Sequence, residues 1–413
     1  MDRRDLRSAY TIGSAAVIVG ALALAVGCTG TATSAERAKA AQTRVIITPS
    51  NGAREVRPGA GVAVAASGAH LRGVVVSTSG HEVAGQLASG GTTWHSSGPL
   101  ALSRTYTVVA TAVGVGGKKI TATSSFRTLT PRQTFQATSL EGDNQQYGVG
   151  MPIVLTFSRP ITNRAAVERA LSLTSSKPII GAWYWDGDKS VSFRPQKYWA
   201  SGTQVSFTAA LNGVEGAKGV YGTSDIHVAF SIGPSLIARV GTDTHYMKVY
   251  YKGRLFGNWP ISTGSPGDDT ANGHYLTIEK GNPVLMSGPG YTDFPVPWSV
   301  RFTWSGNYIH DAYWSVGEQG YVNVSHGCVN MSPENAQTYY NLELPGDPVI
   351  VTGSPVAGTW DDGWTQWFLS WSQLLAGSAL HAAVLAGPAG SSFVAASTVQ
   401  APPMAGHSGH GPV

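Results

Sequence analysis

Hydrophobic and polar residues alternate in short runs along most of the chain, with Gly- and Ser-containing segments between the runs. Residues 104–110 and 119–123 are clear examples in the first third of the sequence. A period of two residues directs successive side chains to opposite faces of a β-strand. The pattern therefore predicts a small β-sandwich over residues 44–130.

A second series of alternating runs begins after Thr130-Pro131-Arg132 interrupts the pattern. Asp186-Gly187 follows an aromatic run and is typical of a hairpin turn. These features predict a second β-sandwich over residues 133–234. The runs that would form its strands are residues 153–157, 190–193, 204–207 and 226–230.

The third region, residues 235–353, is also predicted to be mostly strand, with one clear helix signal. Ser332 can accept a hydrogen bond at an N-cap, and Pro333 suits the first helical position. Residues 334–341 then have helix-compatible spacing. We expect this helix to begin shortly after Cys328.

The C-terminal segment, residues 354–386, is rich in tryptophan. Its tryptophans fall on one face of a predicted helix, and we expect that face to pack on a neighbouring domain, with stacking on sugars as the alternative. From residue 387 to 413 the Gly/Pro/Ala/Ser-rich composition predicts a disordered tail. The tryptophans are Trp360, Trp364, Trp367 and Trp371.

Charge and composition exclude several classes of function. Charged residues make up 13% of the chain, and the net charge of +4 is spread without a basic cluster beyond the N-terminus. Nucleic-acid binding therefore has no support. Scattered carboxylates predict neither a metal site nor the acid pair of a glycosidase, and we expect no cofactor.

The N-terminus is typical of an export signal. Arg3, Arg4 and Arg7 precede an uncharged run over residues 11–27. Cys28 follows that run in a sequence resembling a bacterial lipobox. Residues 1–28 are therefore predicted to be a lipoprotein signal peptide with its lipobox Cys, in which cleavage precedes Cys28 and the thiol is lipidated, and residues 29–43 a flexible tether. An uncleaved signal anchor is the alternative. Either interpretation places the protein outside the cytoplasm, attached to the outer face of the plasma membrane.

Cysteine usage points to a reactive thiol. The chain has two cysteines, Cys28 and Cys328, so lipidation of the first leaves the second unpaired. A cysteine attacks a carbonyl as thiolate and needs a base and hydrogen-bond donors for the oxyanion. His310 is a candidate base. Gly327 allows a sharp strand-to-helix turn in which consecutive amides, those of Gly327 and Cys328, can converge on one point.

The motifs around Cys328 closely resemble the catalytic signature of the L,D-transpeptidases, the YkuD-type domain. The resemblance covers about residues 236–353 and extends loosely to mycobacterial members with tandem Ig-like domains. It implies a mostly β fold, with two N-terminal Ig-like β-sandwiches, a β-rich YkuD-type catalytic domain and a short helical C-terminal segment. The motifs are Ile309-His310-Asp311-Ala312, Trp314-Ser315-Val316-Gly317, Asn323-Val324-Ser325-His326-Gly327-Cys328-Val329-Asn330 and Ser332-Pro333-Glu334-Asn335-Ala336.

The resemblance implies catalytic roles. Cys328 matches the nucleophile and His310 the general base, and Asp311 matches the residue whose backbone carbonyl orients the imidazole. Serine is more familiar there, so a carboxylate bending toward His310 and raising its pKa is the alternative. The amides of Gly327 and Cys328, with the Tyr291 hydroxyl, would form the oxyanion hole. For Tyr291 the alternative is a lid aromatic.

Other residues are implied to contact substrate. His326, Asn330 and Ser325 belong to the motif, and purely structural roles are the alternative for His326 and Asn330. Met286 and Ser287 belong to a flap that continues through residues 288–290, where Gly and Pro predict a mobile loop rather than a strand. Trp314 would form a wall of the pocket or pack in the core.

The implied reaction is formation of 3→3 cross-links between peptidoglycan stem peptides through a thioester on Cys328. β-Lactams of the carbapenem class would then acylate the same thiol. An L,D-carboxypeptidase, a transferase that attaches proteins to peptidoglycan and a non-catalytic wall-binding lipoprotein are the alternatives.

Overall fold

The computed structural model describes residues 43–288 and 291–399. The predicted signal peptide with Cys28, most of the tether, Pro289 and Gly290 of the flap, and residues 400–413 lie outside the described residues. Among the described helices, none has the length and apolar character needed to cross a bilayer.

Residues 43–130 form a β-sandwich around a single core. Its strands are β1 (Arg44–Thr48), β2 (Ala63–Ser67), β3 (Ala69–Thr78), β4 (His81–Glu82), β5 (Gly85–Leu87), β6 (Thr93–Ser96), β7 (Thr105–Gly114) and β8 (Lys119–Arg127). One sheet has the order β1-β2-β6-β5 and the other β4-β3-β7-β8. In β7, Tyr106, Val108 and Ala110 are buried and the residues between them are exposed. This is the alternation that the sequence predicts.

Residues 133–232 form a second sandwich. Its elements are β9 (Gln133–Phe135), β10 (Ala137–Ser139), β11 (Gln146–Tyr147), β12 (Ile153–Phe157), α1 (Arg164–Arg169), β13 (Leu171–Ser175), β14 (Ile179–Asp186), β15 (Ser190–Pro195), β16 (Gln204–Ala209), β17 (Glu215–Ala217), β18 (Val220–Gly222) and β19 (Ile226–Ile232). The sheet β10-β12-β15-β14 and the sheet β11-β19-β16-β13 share an aromatic core that contains Trp183, Phe193 and Phe207. The smaller sheet β17-β18-β9 also belongs to this region.

Residues 236–352 form the third unit, which has its own core. Its elements are β20 (Leu236–Gly241), β21 (Tyr246–Tyr251), β22 (Arg254–Pro260), β23 (Gly273–Leu276), β24 (Glu279–Gly281), β25 (Val284–Gly288), β26 (Tyr291–Val296), β27 (Ser299–Arg301), β28 (Tyr308–Asp311), β29 (Val329–Met331), α2 (Pro333–Leu342) and β30 (Pro348–Thr352). The sheet β22-β21-β20-β30-β23 and the sheet β24-β27-β28-β29 enclose this core. Helix α2 begins at Pro333, and the Ser332 hydroxyl accepts from the Asn335 amide, which confirms the predicted cap.

The C-terminal segment returns from the third unit to the second sandwich. It contains a 3-10 turn (Gln366–Phe368), α3 (Trp371–Ala376), β31 (Ala382–Gly387) and β32 (Gly390–Ala395). Strand β31 pairs antiparallel with β14, so that it extends a sheet of the sandwich. The buried Glu168 carboxylate accepts hydrogen bonds from Ser378 Oγ at 2.5 Å and from the Ala379 amide at 2.7 Å. The segment is thereby joined to the sandwich by main chain and side chains.

The spacing of the tryptophans predicts one continuous helix, and the structure shows that this prediction is wrong. Gly363 has a φ of 127°, which is incompatible with an α-helix between Trp360 and Trp364. Their packing on neighbouring units is confirmed, because Trp367 Nε1 donates to Gly150 O at 2.8 Å and Trp360 contacts Tyr184.

The prediction of disorder from residue 387 is wrong for its first part. Gly387 pairs with Gly390 in the hairpin of β31 and β32. Composition alone favours disorder here, but the edge strand β14 offers β31 unpaired backbone groups, and the hairpin satisfies them.

The fold class is confirmed, since the chain is mostly β and the two sandwiches precede the third unit. The exact domain boundaries, 44–130, 133–234, 235–353 and 354–386, stay predictions.

Candidate active site

A cavity of about 520 Å³ opens in the third unit and brings most of the predicted site residues together. The predicted residues on its wall are Met286, Tyr291, His310, Trp314, Ser325, His326, Cys328 and Asn330. Phe294, Val296 and Val324 also line it, and sequence reasoning missed these three. Phe294 and Val296 alternate along β26, so a strand pattern in the predicted flap is the signal that could have identified them.

Parallel pairing of β28 with β29 brings His310 close to Cys328. The register places His310 opposite Asn330, and Cys328 directly precedes β29. Residues two positions apart lie on the same face of a strand, so Cys328, Asn330 and His310 share a face. The prediction of a strand-to-helix turn at Cys328 is therefore wrong in one respect, because a short strand separates the thiol from α2.

The turn before the thiol is held by Ser325. Its hydroxyl accepts from the Gly327 amide at 3.1 Å and donates to the Cys328 carbonyl at 2.6 Å. The hydroxyl of this predicted substrate-binding residue is thus committed to the turn. Gly327 has a φ of 111°, a backbone conformation that favours glycine.

His310 is buried, with 4% of its surface exposed. Its Nδ1 donates to the Asp311 carbonyl at 2.7 Å, and since a carbonyl can only accept, the proton lies on Nδ1 and Nε2 carries the lone pair. The Trp314 ring stacks on the imidazole, with centroids 5.9 Å apart. Burial lowers the pKa of His310 to about 4, and its hydrogen bond to Asp311 opposes that shift.

The Asp311 carboxylate has no part in orienting the imidazole. Its Oδ1 is buried and has no hydrogen-bond partner among the described residues. Burial raises the pKa of Asp311, and the Tyr313 amide opposes that shift. The geometry agrees with the backbone role that the resemblance implies for this position.

Cys328 is half-buried, but its sulfur is closely packed, and desolvation raises the pKa of the thiol to about 11. Its Sγ lies 3.8 Å from the Gly306 carbonyl. A thiol with a raised pKa beside an imidazole with a lowered pKa stays uncharged near neutral pH. Burial therefore favours a neutral pair over a thiolate and an imidazolium in the resting site.

The predicted oxyanion donors differ in availability. The Gly327 amide donates to Ser325 Oγ in this structure. Tyr291 is half-buried on the cavity wall, and burial is the main cause that raises the pKa of its phenol, with a smaller contribution from the neighbouring Cys328. The Tyr291 ring lies 5.7 Å from that of His326.

Of the remaining predicted contacts, Asn330 is buried and its Nδ2 donates to Ser315 Oγ at 3.0 Å, whereas His326 is exposed. The expectation of a loop rather than a strand is wrong for the start of the predicted flap, because Met286, Ser287 and Gly288 lie in strand β25. Met286 pairs there with Phe294 of β26. Cross-strand pairing stabilises the hairpin, although the sequence at its tip is rich in Gly and Pro.

Ser287 points away from the cavity wall, and its Oγ accepts from the Asp293 amide at 3.0 Å. In the described part of the chain, no group of three or more His, Cys, Asp or Glu side chains is arranged to hold a metal ion.

Family models match the two parts of the chain. Residues 53–215 match a bacterial Ig domain, a match that spans parts of both sandwiches. Residues 236–351 match an L,D-transpeptidase catalytic domain, which coincides with the third unit and its cavity.

Curated relatives match most of the chain. It is 35% identical to L,D-transpeptidase 2 of Mycobacterium tuberculosis over 343 residues, which are 80% of this chain and 83% of that protein. It is 34% identical to L,D-transpeptidase 5 of the same species over 368 residues, or 86% and 81% of the two chains. Among solved structures, an LD transpeptidase in complex with imipenem is 33% identical, with a TM-score of 0.45 over 52% of this chain and 97% of that one.

Proposed function

The chain belongs to the L,D-transpeptidase family, and from that premise we propose that it forms 3→3 cross-links in peptidoglycan through a thioester on Cys328. Members of this family are acyltransferases, so the chain is an enzyme.

The observation that carries the proposal is the orientation of His310. Its Nδ1 is bound to the Asp311 carbonyl, which leaves Nε2 as the acceptor in the cavity that Cys328 also lines. A base with a fixed tautomer next to a lone thiol is the arrangement that nucleophilic acyl transfer requires.

The first half-reaction transfers the donor stem to the enzyme. His310 Nε2 takes the thiol proton while Sγ attacks the carbonyl carbon between the diamino-acid residue and the terminal D-Ala of a tetrapeptide. The C–S bond forms and the carbonyl electron pair moves to oxygen. When the oxyanion collapses, the C–N bond breaks, the imidazolium gives its proton to the D-Ala nitrogen, and a thioester remains.

The second half-reaction transfers the donor to an acceptor stem. A side-chain amine attacks the thioester carbonyl and gives a proton to His310, and the C–S bond then breaks. The imidazolium returns its proton to the departing thiolate, which restores the neutral pair. If water attacks instead, the product is a tripeptide and the activity is that of an L,D-carboxypeptidase.

The neutral resting pair makes this mechanism depend on substrate. Because the pKa of Cys328 is about 11 and that of His310 about 4, proton transfer without a substrate is unfavourable. Transfer becomes favourable only as the new C–S bond forms and donors stabilise the oxyanion.

The same chemistry supports covalent inhibition by β-lactams of the carbapenem class. The strained lactam carbonyl presents the carbon that Sγ attacks, and ring opening replaces the departure of D-Ala. A cavity with Phe294, Trp314 and Met286 on its wall offers apolar surface to such a bicyclic ligand.

The site of action is a further part of the proposal. The N-terminal sequence supports export and lipidation of Cys28 on the outer face of the plasma membrane, with the Ig-type region between anchor and enzyme. Mass spectrometry of the N-terminal peptide tests this, because the mature chain should begin at Cys28 and carry the mass of its acyl groups. A chain that keeps residues 1–27 and an unmodified Cys28 would contradict lipidation as the anchor.

Mass spectrometry of products from purified muropeptides tests the reaction. With tetrapeptide donors, the wild type should give dimers linked between two diamino-acid residues and should release one D-Ala per dimer. Tripeptide without dimers would identify a carboxypeptidase. Neither product from wild type, with Cys328→Ala as the matched blank, would contradict both activities.

A further inference from the structure

The carbonyl of Gly327 accepts two side-chain hydrogen bonds directly beside the nucleophile. Thr270 Oγ1 donates to it at 2.7 Å, and Asn307 Nδ2 donates to it at 2.8 Å. A carbonyl oxygen has two lone pairs, so both are used. The carbonyl is therefore held in one direction by donors from two separate loops.

The first donor is itself fixed. Thr270 is buried, with 1% of its surface exposed, and its Oγ1 accepts from the Gly264 amide at 3.0 Å. Because the hydroxyl accepts from this amide, its own proton is directed to the Gly327 carbonyl.

The second donor is fixed through its main chain. The Asn307 amide donates to Thr303 Oγ1 at 2.8 Å, and its carbonyl accepts from the Phe302 amide at 3.0 Å. The neighbouring Ser305 amide donates to Asp362 in the C-terminal segment at 2.6 Å. Because the partner of the Asn307 side chain is a carbonyl, the nitrogen rather than the oxygen faces Gly327.

In a planar trans peptide, the direction of the carbonyl determines the direction of the N–H that follows it. The bond between Gly327 and Cys328 is trans, so the Cys328 N–H points opposite to the Gly327 C=O. Two donors on the oxygen therefore set the direction of the Cys328 amide. They also polarise the peptide, which makes its N–H a stronger donor.

We propose that Thr270 and Asn307 are positioning residues for the oxyanion hole, which aim and polarise the Cys328 amide through the Gly327 carbonyl. The inference rests on the proposed acyl transfer, because only an acyl donor develops an oxyanion. The Gly327 amide is occupied by Ser325, so the direction of the Cys328 amide matters more in this chain.

Reaction with two different electrophiles can distinguish a role in the oxyanion hole from a general effect on the reactivity of the Cys328 thiol. Imipenem acylates through an oxyanion, whereas iodoacetamide alkylates sulfur by displacement of iodide and forms none. In Thr270→Val the second-order rate of imipenem acylation should fall about 10-fold or more, while the rate of iodoacetamide alkylation should stay within about twofold. Asn307→Leu, which removes the donor without adding a charge, should give the same split, and Thr270→Ser should keep the wild-type ratio.

Thr277→Val is the matched control. Thr277 is equally buried, and its hydroxyl also donates to a carbonyl, that of Leu344, and accepts from an amide, that of Asp347. It lies outside the cavity wall, so this variant should keep the wild-type ratio of the two rates. Asn307→Leu keeps nearly the size of the side chain and provides the test if Thr270→Val does not fold.

The outcomes are distinct. Equal falls in both rates, or no fall in either, in the Thr270 and Asn307 variants would overturn the positioning role and leave the proposed function intact. A wild type that iodoacetamide alkylates but imipenem does not acylate would instead overturn the proposed acyl transfer.

Discussion

The imidazole of His310 is held by the main-chain carbonyl of Asp311, at 2.7 Å, and not by the Asp311 carboxylate. The carboxylate instead has a buried oxygen without a partner among the described residues. The side chain at this position is therefore dispensable for the orientation of the base.

Asp311→Ser should consequently keep the activity. The rate of carbapenem acylation should stay within about threefold of wild type, since the Nδ1 bond to the main chain is unchanged. Stability should not fall, because a desolvated carboxylate is removed. Since burial raises the pKa of Asp311, the carboxylate destabilises the fold more as pH rises through that pKa, and the gain should be larger at pH 8 than at pH 4.

Acylation kinetics and denaturant unfolding at both pH values measure these effects. A large loss of acylation in Asp311→Ser, together with its recovery in Asp311→Glu, would mean that the carboxylate participates.

The neutral resting pair predicts an unusual pH dependence of thiol alkylation. Because the pKa of Cys328 is raised to about 11, the rate of iodoacetamide alkylation should rise continuously from pH 6 to pH 10. A thiolate paired with an imidazolium would give a plateau below pH 8, as in Cys–His proteases. Rates measured across this range, with Cys328→Ala as the blank, distinguish the two forms.

Tyr291 should contribute to acylation through its hydroxyl. Loss of one oxyanion donor reduces rates by about 10²- to 10³-fold, and Tyr291→Phe should lower imipenem acylation by at least about 10-fold while alkylation is unchanged. Tyr313→Phe is the control, because Tyr313 is exposed and contacts the Trp314 ring but does not line the cavity. Equal rates in wild type and Tyr291→Phe would identify Tyr291 as a lid aromatic without a catalytic bond.

Glu168 should stabilise the attachment of the C-terminal segment. Its carboxylate accepts from Ser378, Ala379 and Trp185 in a buried site, and Glu168→Ala leaves these donors without partners. The free energy of unfolding should fall by about 3 kcal/mol. Glu279→Ala removes an exposed ion pair with Arg301 and should lower it by less than about 1 kcal/mol. Denaturant unfolding of both variants checks the difference, and similar losses would argue against the buried network.

Local sequence patterns predicted many of the strands, and most of the site residues that the resemblance implies lie on the wall of one cavity. The alternation along β7 reflects one buried face. The run from Ser325 to Asn330 is recognisable because several of the cavity-lining residues are close together in sequence. The cap of α2 is likewise local, because Ser332 bonds an amide three residues away.

Features that depend on distant partners were not predictable. Strand β31 exists because Ala386 pairs with Ile179 across the sheet, and nothing near residue 386 indicates this. The bonds from Thr270 and Asn307 to Gly327 also join loops that are far apart in sequence. The Gly327 amide donates to Ser325, and the pKa values of His310 and Cys328 shift in opposite directions. Both features depend on tertiary packing, which the periodicity of the sequence does not predict.

Intact-mass spectrometry of the enzyme with a tetrapeptide stem tests the account most directly. After acid quenching, the wild type should carry one adduct with the mass of the donor less D-Ala, peptide mapping should place it on Cys328, and Cys328→Ala should carry none. A wild type without the adduct, or an adduct that persists in Cys328→Ala, would contradict the thioester mechanism.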